Sequence, residues 1–133
     1  MLKLDHLGIA VKSIAEARSF YESLGLAVLS EEVVEQEGVR AALIPIGDSR
    51  IELLEPLGES TPVARFLAKR GEGLHHLAFH VEDISLAFEQ MKQSGARLLS
   101  DQIQAGAGGH LYFFIHPASA GGVLLEICGQ PRS

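Results

Sequence analysis

Four residues in this chain have the types and the spacing to do chemistry together: His6 and Glu52 in the first half, His76 and Glu126 in the second. The stretches Leu4-Asp5-His6-Leu7-Gly8-Ile9-Ala10-Val11-Lys12-Ser13-Ile14 and Leu74-His75-His76-Leu77-Ala78-Phe79-His80-Val81-Glu82-Asp83-Ile84 share Leu, His, Leu, Val and Ile at one fixed offset. Later, Ile51-Glu52-Leu53-Leu54 matches Leu125-Glu126-Ile127-Cys128 at an offset four residues longer. The chain is a duplication, and each half carries one early histidine and one late glutamate. Residues repeated at one internal position can converge when a unit pairs with its copy about a pseudo-twofold axis.

Two imidazoles and two carboxylates suit a divalent first-row metal, with the carboxylates neutralising its charge and one or two positions left for water or substrate. The ions that fit are Co²⁺ first, then Mn²⁺, Ni²⁺, Zn²⁺ and Fe²⁺. A lone histidine on a strand is more often a core or surface residue, and a lone strand glutamate usually faces water. The repeat is what turns these four into ligands. His75, His80 and His110 lack that support and are read as structural or solvent-facing, and His116, before Pro117, is read as packing a turn, with substrate contact as the other reading.

Positioning these groups falls to strands and helices with plain sequence signals. Ser13-Ile14-Ala15-Glu16 is a capping box that opens a helix ending at Gly25, and Asp83 opens its counterpart, ending at Gly95. Read along the chain, strand 3–11, helix 14–24 and strands 26–34, 39–46 and 49–56 form one βαβββ unit. Strand 74–81, helix 84–94 and strands 97–100, 111–115 and 122–128 form another. Between them Thr61, Pro62 and Gly71 bracket a helix over 62–70 that has no counterpart and reads as a connector. Module one therefore covers about 1–58, module two about 73–133, and the whole of 1–133 is one domain. The glycines of Gly106-Ala107-Gly108-Gly109 lie between strands, where a dinucleotide fingerprint would not, and the 105–109 segment is expected to be a loop at a cavity mouth, with a plain hairpin connection as the other reading.

Strand alternation places His6, Gly8 and Ala10 on one face and Leu7, Ile9 and Val11 on the other, with His76, Ala78 and His80 likewise opposed to Leu77, Phe79 and Val81. Small residues thus flank the histidines. Glu52 and Glu126 sit in strands whose neighbours are apolar, where an unpaired charge is costly, so a cation is the expected partner. The fold class is α+β, with two tandem βαβββ modules forming a curved mixed sheet around one metal cavity.

Composition narrows the function classes. The 133 residues are 47% hydrophobic and 21% charged, typical of a single soluble domain whose halves alone would bury too little core. A formal charge of −6 without a basic run argues against nucleic acid as a partner. No basic-apolar leader and no stretch near twenty apolar residues is visible, which points to a cytoplasmic protein without a membrane partner. A single cysteine, Cys128, excludes an intrachain disulfide.

Several longer stretches resemble methylmalonyl-CoA epimerases, within the vicinal oxygen chelate superfamily that includes glyoxalase I. They are Asp5-His6-Leu7-Gly8-Ile9-Ala10-Val11, Ile51-Glu52-Leu53-Leu54-Glu55-Pro56-Leu57-Gly58, Ser60-Thr61-Pro62-Val63-Ala64-Arg65-Phe66-Leu67, Gly73-Leu74-His75-His76, and Phe114-Ile115-His116-Pro117 with Gly121-Gly122-Val123-Leu124-Leu125-Glu126. The resemblance implies interconversion of the 2R and 2S forms of methylmalonyl-CoA through a metal-stabilised thioester enolate. It also implies an acyl-CoA substrate, a homodimer, and Glu126 as both ligand and catalytic base. Two departures stand out: Ala41 occupies the place of a glutamate that some relatives carry as a second base, and Ala118 follows His116-Pro117 where lysine is frequent. The alternatives are another metal-dependent enzyme of the superfamily, such as a glyoxalase-like lyase or a ring-cleaving dioxygenase, and a metal-free binding module. A dioxygenase needs only two histidines and one carboxylate, so Glu52 argues against it.

Overall fold

The structure is a computed structural model that describes residues 2–106 and 109–129. The chain divides into two compact units, His6–His75 and Met1–Asp5 with His76–Ser133. The duplication is visible inside each of them.

In the His6–His75 unit, strand β1 (Lys3–Ala10) leads into helix α1 (Ile14–Ser23), followed by β2 (Ser30–Val34), β3 (Val39–Ile46), β4 (Ser49–Pro56) and helix α2 (Pro62–Arg70). β2 and β3 pair antiparallel, as do β3 and β4, and β4 runs parallel to β1. Ser13 Oγ accepts from Glu16 N to start α1, and Gly25 ends it at φ +92°. Helix α2 starts as its sequence predicts, with Thr61 Oγ1 accepting from Ala64 N and Pro62 at the first helical position.

Alternation assigns two cores to the two faces of this sheet. Ile51 and Leu53 of β4, Ala42 and Ile44 of β3 and Val11 pack with Ile14 under α1. On the opposite face Ala10, Val39, Ala41 and Leu54 pack with Val63, Phe66 and Leu67 of α2. Helix α2 is therefore more than a connector, because it closes one face of this unit's core. His6, Gly8 and Glu52 share the parity of the α2 face.

The second unit repeats the pattern: β5 (Gly73–His80), α3 (Ile84–Gln93), β6 (Gln104–Ala105), β7 (Leu111–Ile115) and β8 (Leu125–Gly129). β6 pairs antiparallel with β7, β7 antiparallel with β8, and β8 parallel with β5. Phe79, Phe113, Ile115 and Ile127 pack against Ile84 and Phe88 of α3, which leaves His76, Ala78, Tyr112, Phe114, Glu126 and Cys128 on the other face. The turns agree atom for atom. Leu26 N donates to Tyr21 O and Ala96 N to Met91 O, while Val11 N donates to Leu54 O and Val81 N to Cys128 O.

Three expected strands come out differently. The strand expected over 26–34 begins only at Ser30, because Leu26 N is spent closing the end of α1 and Leu26 and Val28 pack into the core from irregular backbone. The strand expected over 97–100 is reduced to one bridge, Leu98 to Ile115, and the regular partner of β7 is β6, beyond the polar bend Ser100-Asp101-Gln102. The strand expected from 122 starts at Leu125, since Gly121 and Gly122 adopt φ +69° and +95° in a turn. The expected loop at 105–109 lies partly outside the described residues, at 107 and 108. Among the described residues no helix is long and apolar enough to cross a membrane.

Candidate functional site

Parallel pairing of the first and last strand of each module sets the geometry. In one unit Gly8 of β1 lies opposite Glu52 of β4, and in the other Ala78 of β5 lies opposite Glu126 of β8. The histidine two residues earlier on the same face then stands beside the glutamate, and a small residue directly opposite leaves the carboxylate room. His6 Nδ1 is 3.5 Å from Glu52 Oε2, and His76 Nε2 is 3.3 Å from Glu126 Oε1. His6, His76 and Glu126 are buried at 4%, 6% and 6% exposure, while the Glu52 side chain is 16% exposed.

Within each pair the spacing suits two donors to one cation. Two ligand atoms each about 2.1 Å from one ion stand roughly 3.0 to 3.4 Å apart at octahedral to tetrahedral angles, which is the range the two His–Glu pairs approach. The donor types agree, since nitrogen and oxygen donors of this mix suit the divalent first-row ions. A carboxylate withdrawn from water needs a compensating neighbour, and buried Glu126 and partly buried Glu52 each have an imidazole beside them.

Two further residues touch the glutamates, and neither was expected from sequence. Arg50 Nε donates to Glu52 Oε2 at 2.8 Å, so a guanidinium as well as an imidazole meets that carboxylate. Residues two apart on a strand share a face, and Arg50 could have been paired with Glu52 on that ground. Glu52, for which the sequence pointed to a cation as partner, thus has a protein cation beside it. His110 is the second. Read as structural or solvent-facing, it is half-buried, with Nε2 3.6 Å from Glu126 Oε2. Its signal was its parity with Tyr112 and Phe114 on the strand beside Glu126.

His75 and His116 make structural contacts. His75 packs edge-on against Phe66 at 5.1 Å, and His116 Nδ1 accepts from Ala118 N at 2.9 Å to cap the turn Pro117–Ser119. Ala118 therefore serves that turn through its backbone. Ala41 lies on the face of Glu52, but its neighbours are the apolar Ala10, Val39, Leu54 and Val63.

Comparison with known proteins gives the family. The family described as the Glyoxalase/Bleomycin resistance protein/Dioxygenase superfamily matches residues 5–114. An ethylmalonyl-CoA/methylmalonyl-CoA epimerase of Cereibacter sphaeroides is 38% identical, over 94% of this chain and 96% of its own length. The chain belongs to the methylmalonyl-CoA epimerase family. YqjC of Bacillus subtilis is 44% identical to this family member over 99% of the chain and 94% of its own length. A solved structure of a variant Streptomyces coelicolor methylmalonyl-CoA epimerase, in complex with 2-nitronate-propionyl-CoA, is 36% identical and superposes with a TM-score of 0.90, covering 96% of this chain and 94% of that one. The fold is thus the vicinal oxygen chelate fold expected from the paired βαβββ modules.

Proposed function

We propose that this protein is an isomerase that interconverts the 2R and 2S forms of methylmalonyl-CoA, with His6, Glu52, His76 and Glu126 holding one divalent metal ion. The observation that carries the reading is the repeated His–Glu pair, built by the same strand register in each module of a chain of this family, with His6, His76 and Glu126 buried. A bound cation supplies Lewis-acid stabilisation to the thioester oxygen on which negative charge develops.

The chain's own part is the proton. The α-hydrogen lies beside a thioester carbonyl; when its C–H bond breaks, the proton passes to the Glu126 carboxylate and the electron pair moves onto the carbonyl oxygen, giving an enolate. Reprotonation at the opposite face yields the other epimer. The resemblance to the epimerases assigns the base to Glu126, and at Glu52 the Arg50 guanidinium donates to the Oε2 atom that faces His6. The donor for the opposite face is unassigned: Ala41 carries no acid, which leaves another side chain or an ordered water.

One observation favours a second reading. If Arg50 kept Glu52 from the metal, two histidines and one carboxylate would remain, the ligand set of non-haem iron oxygenases. Assay of the metal-loaded protein decides among the readings. Solvent deuterium entering the α-position of methylmalonyl-CoA supports the epimerase, whereas consumption of a glutathione hemithioacetal, or oxygen uptake with a catechol and Fe²⁺, in place of that exchange would overturn it.

A further inference from the structure

His110 and His76 stand on opposite sides of one carboxylate. His76 Nε2 faces Glu126 Oε1 at 3.3 Å and His110 Nε2 faces Oε2 at 3.6 Å, so the two oxygens are divided between two imidazoles. Glu52 differs, since Arg50 and His6 both approach its Oε2.

A run of ring contacts fixes the two imidazoles. His110 stacks on Tyr112 with centroids 5.8 Å apart and planes at 23°, Tyr112 meets Phe114 edge-on at 5.8 Å, and Phe114 meets His76 edge-on at 6.0 Å. Tyr112 and Phe114 lie opposite Cys128 and Glu126 in the β7–β8 ladder, so this aromatic wall follows the strand that carries the carboxylate. The backbone beside His110 is anchored as well, with Gly106 N donating to His110 O at 2.7 Å.

We infer that His110 is a positioning residue for proton transfer: its Nε2, 3.6 Å from Oε2 of Glu126, closes onto that oxygen when substrate binds and fixes the rotation of the carboxylate. The last torsion of a glutamate is broad and is not set by its own rotamer preferences, so an external donor is needed to choose one orientation. At 3.6 Å the pair is just beyond hydrogen-bond length, as catalytic contacts often are without substrate, and a small turn of the carboxylate closes it. The inference rests on the epimerase reading for what the positioned oxygen does.

Three variants separate the donor from the ring. His110→Gln keeps an N–H near the Nε2 position and loses the stack on Tyr112, His110→Phe keeps the stack and loses the donor, and His110→Ala loses both. With Co²⁺-loaded proteins, kcat for exchange of the α-proton of methylmalonyl-CoA is expected to fall about 10- to 100-fold in the Ala and Phe variants, the usual cost of removing a partner of a metal-ligating carboxylate. KM should change little, and His110→Gln should recover most of the rate. The visible absorption band of bound Co²⁺ gives a readout apart from turnover: it should shift in the Ala and Phe variants and return toward the native position in Gln. A native kcat and band in His110→Phe, or a Gln variant as impaired as Ala, overturns the inference. If the unmodified protein exchanges no α-proton, the epimerase reading fails, and the Co²⁺ band alone then decides whether His110 orients Glu126.

Discussion

His76 and Glu126 lie on different strands, yet their nearest side-chain atoms are 3.3 Å apart, because β5 and β8 run parallel with Ala78 opposite the glutamate. His6 and Glu52 repeat the arrangement through β1 and β4 with Gly8 in the place of Ala78. A duplicated register has produced a duplicated pair of donors, and the pairs carry the proposed metal chemistry.

Removing one donor should weaken metal binding. His76→Ala is expected to lower Co²⁺ affinity by at least about 10-fold, as loss of a direct ligand costs no less than loss of the groups that support it. Competition against a coloured chelator measures this. Unchanged affinity would remove His76 from the site.

Ala41 tests whether the place of the second acid is still used. It is 6% exposed among Val39, Leu54 and Val63, so Ala41→Val should overpack that cluster and cost about 1 to 3 kcal/mol of stability. Thermal or urea unfolding reads the cost. Epimerisation per folded molecule should remain close to native, and loss of turnover in a fully folded variant would mean that this position still shapes the site.

Gly38 ties the β2–β3 connection to the cap of α2. Its φ is +70°, and a Cβ there would come within 2.7 Å of Thr61 Cγ2, the residue whose hydroxyl caps the helix. Gly38→Ala should therefore lower stability by more than the roughly 1 to 2 kcal/mol that a left-handed conformation costs an ordinary residue. A melting temperature equal to that of the native protein would contradict the packing.

The fold was readable from the sequence where local signals and the repeat agreed. Ser13, Asp83 and Thr61 cap helices where their motifs predict, and the alternation around His6 and His76 sorts the faces correctly. The errors fall where an apolar run has no single partner: Leu26 and Val28 read as strand but fill a core from irregular backbone, and Leu98 and Ile103 bury side chains without a continuous ladder between them. At the site, the repeat singled out His6, Glu52, His76 and Glu126 together, and the structure sets the histidine and glutamate of each half side by side. Arg50 and His110 have no counterpart in the other half, so repetition could not point to them, and His110 meets Glu126 from just before β7, outside the paired register.

Quaternary state is a separate expectation. We propose a homodimer, and sedimentation at micromolar concentration should give twice the mass of the 133-residue chain. A monomer would remove the dimer and leave the site within each chain untouched.

The central claim is that Glu126 moves the proton as well as binding metal. The direct measurement follows deuterium from solvent into the α-position of 2R- and 2S-methylmalonyl-CoA, in the metal-loaded native protein and in Glu126→Gln, with metal content determined alongside. An amide oxygen still coordinates weakly but accepts no proton, so exchange should fall far more than metal occupancy. Exchange of both epimers at comparable, near-native rates in Glu126→Gln would place the base elsewhere and reduce the glutamate to a ligand.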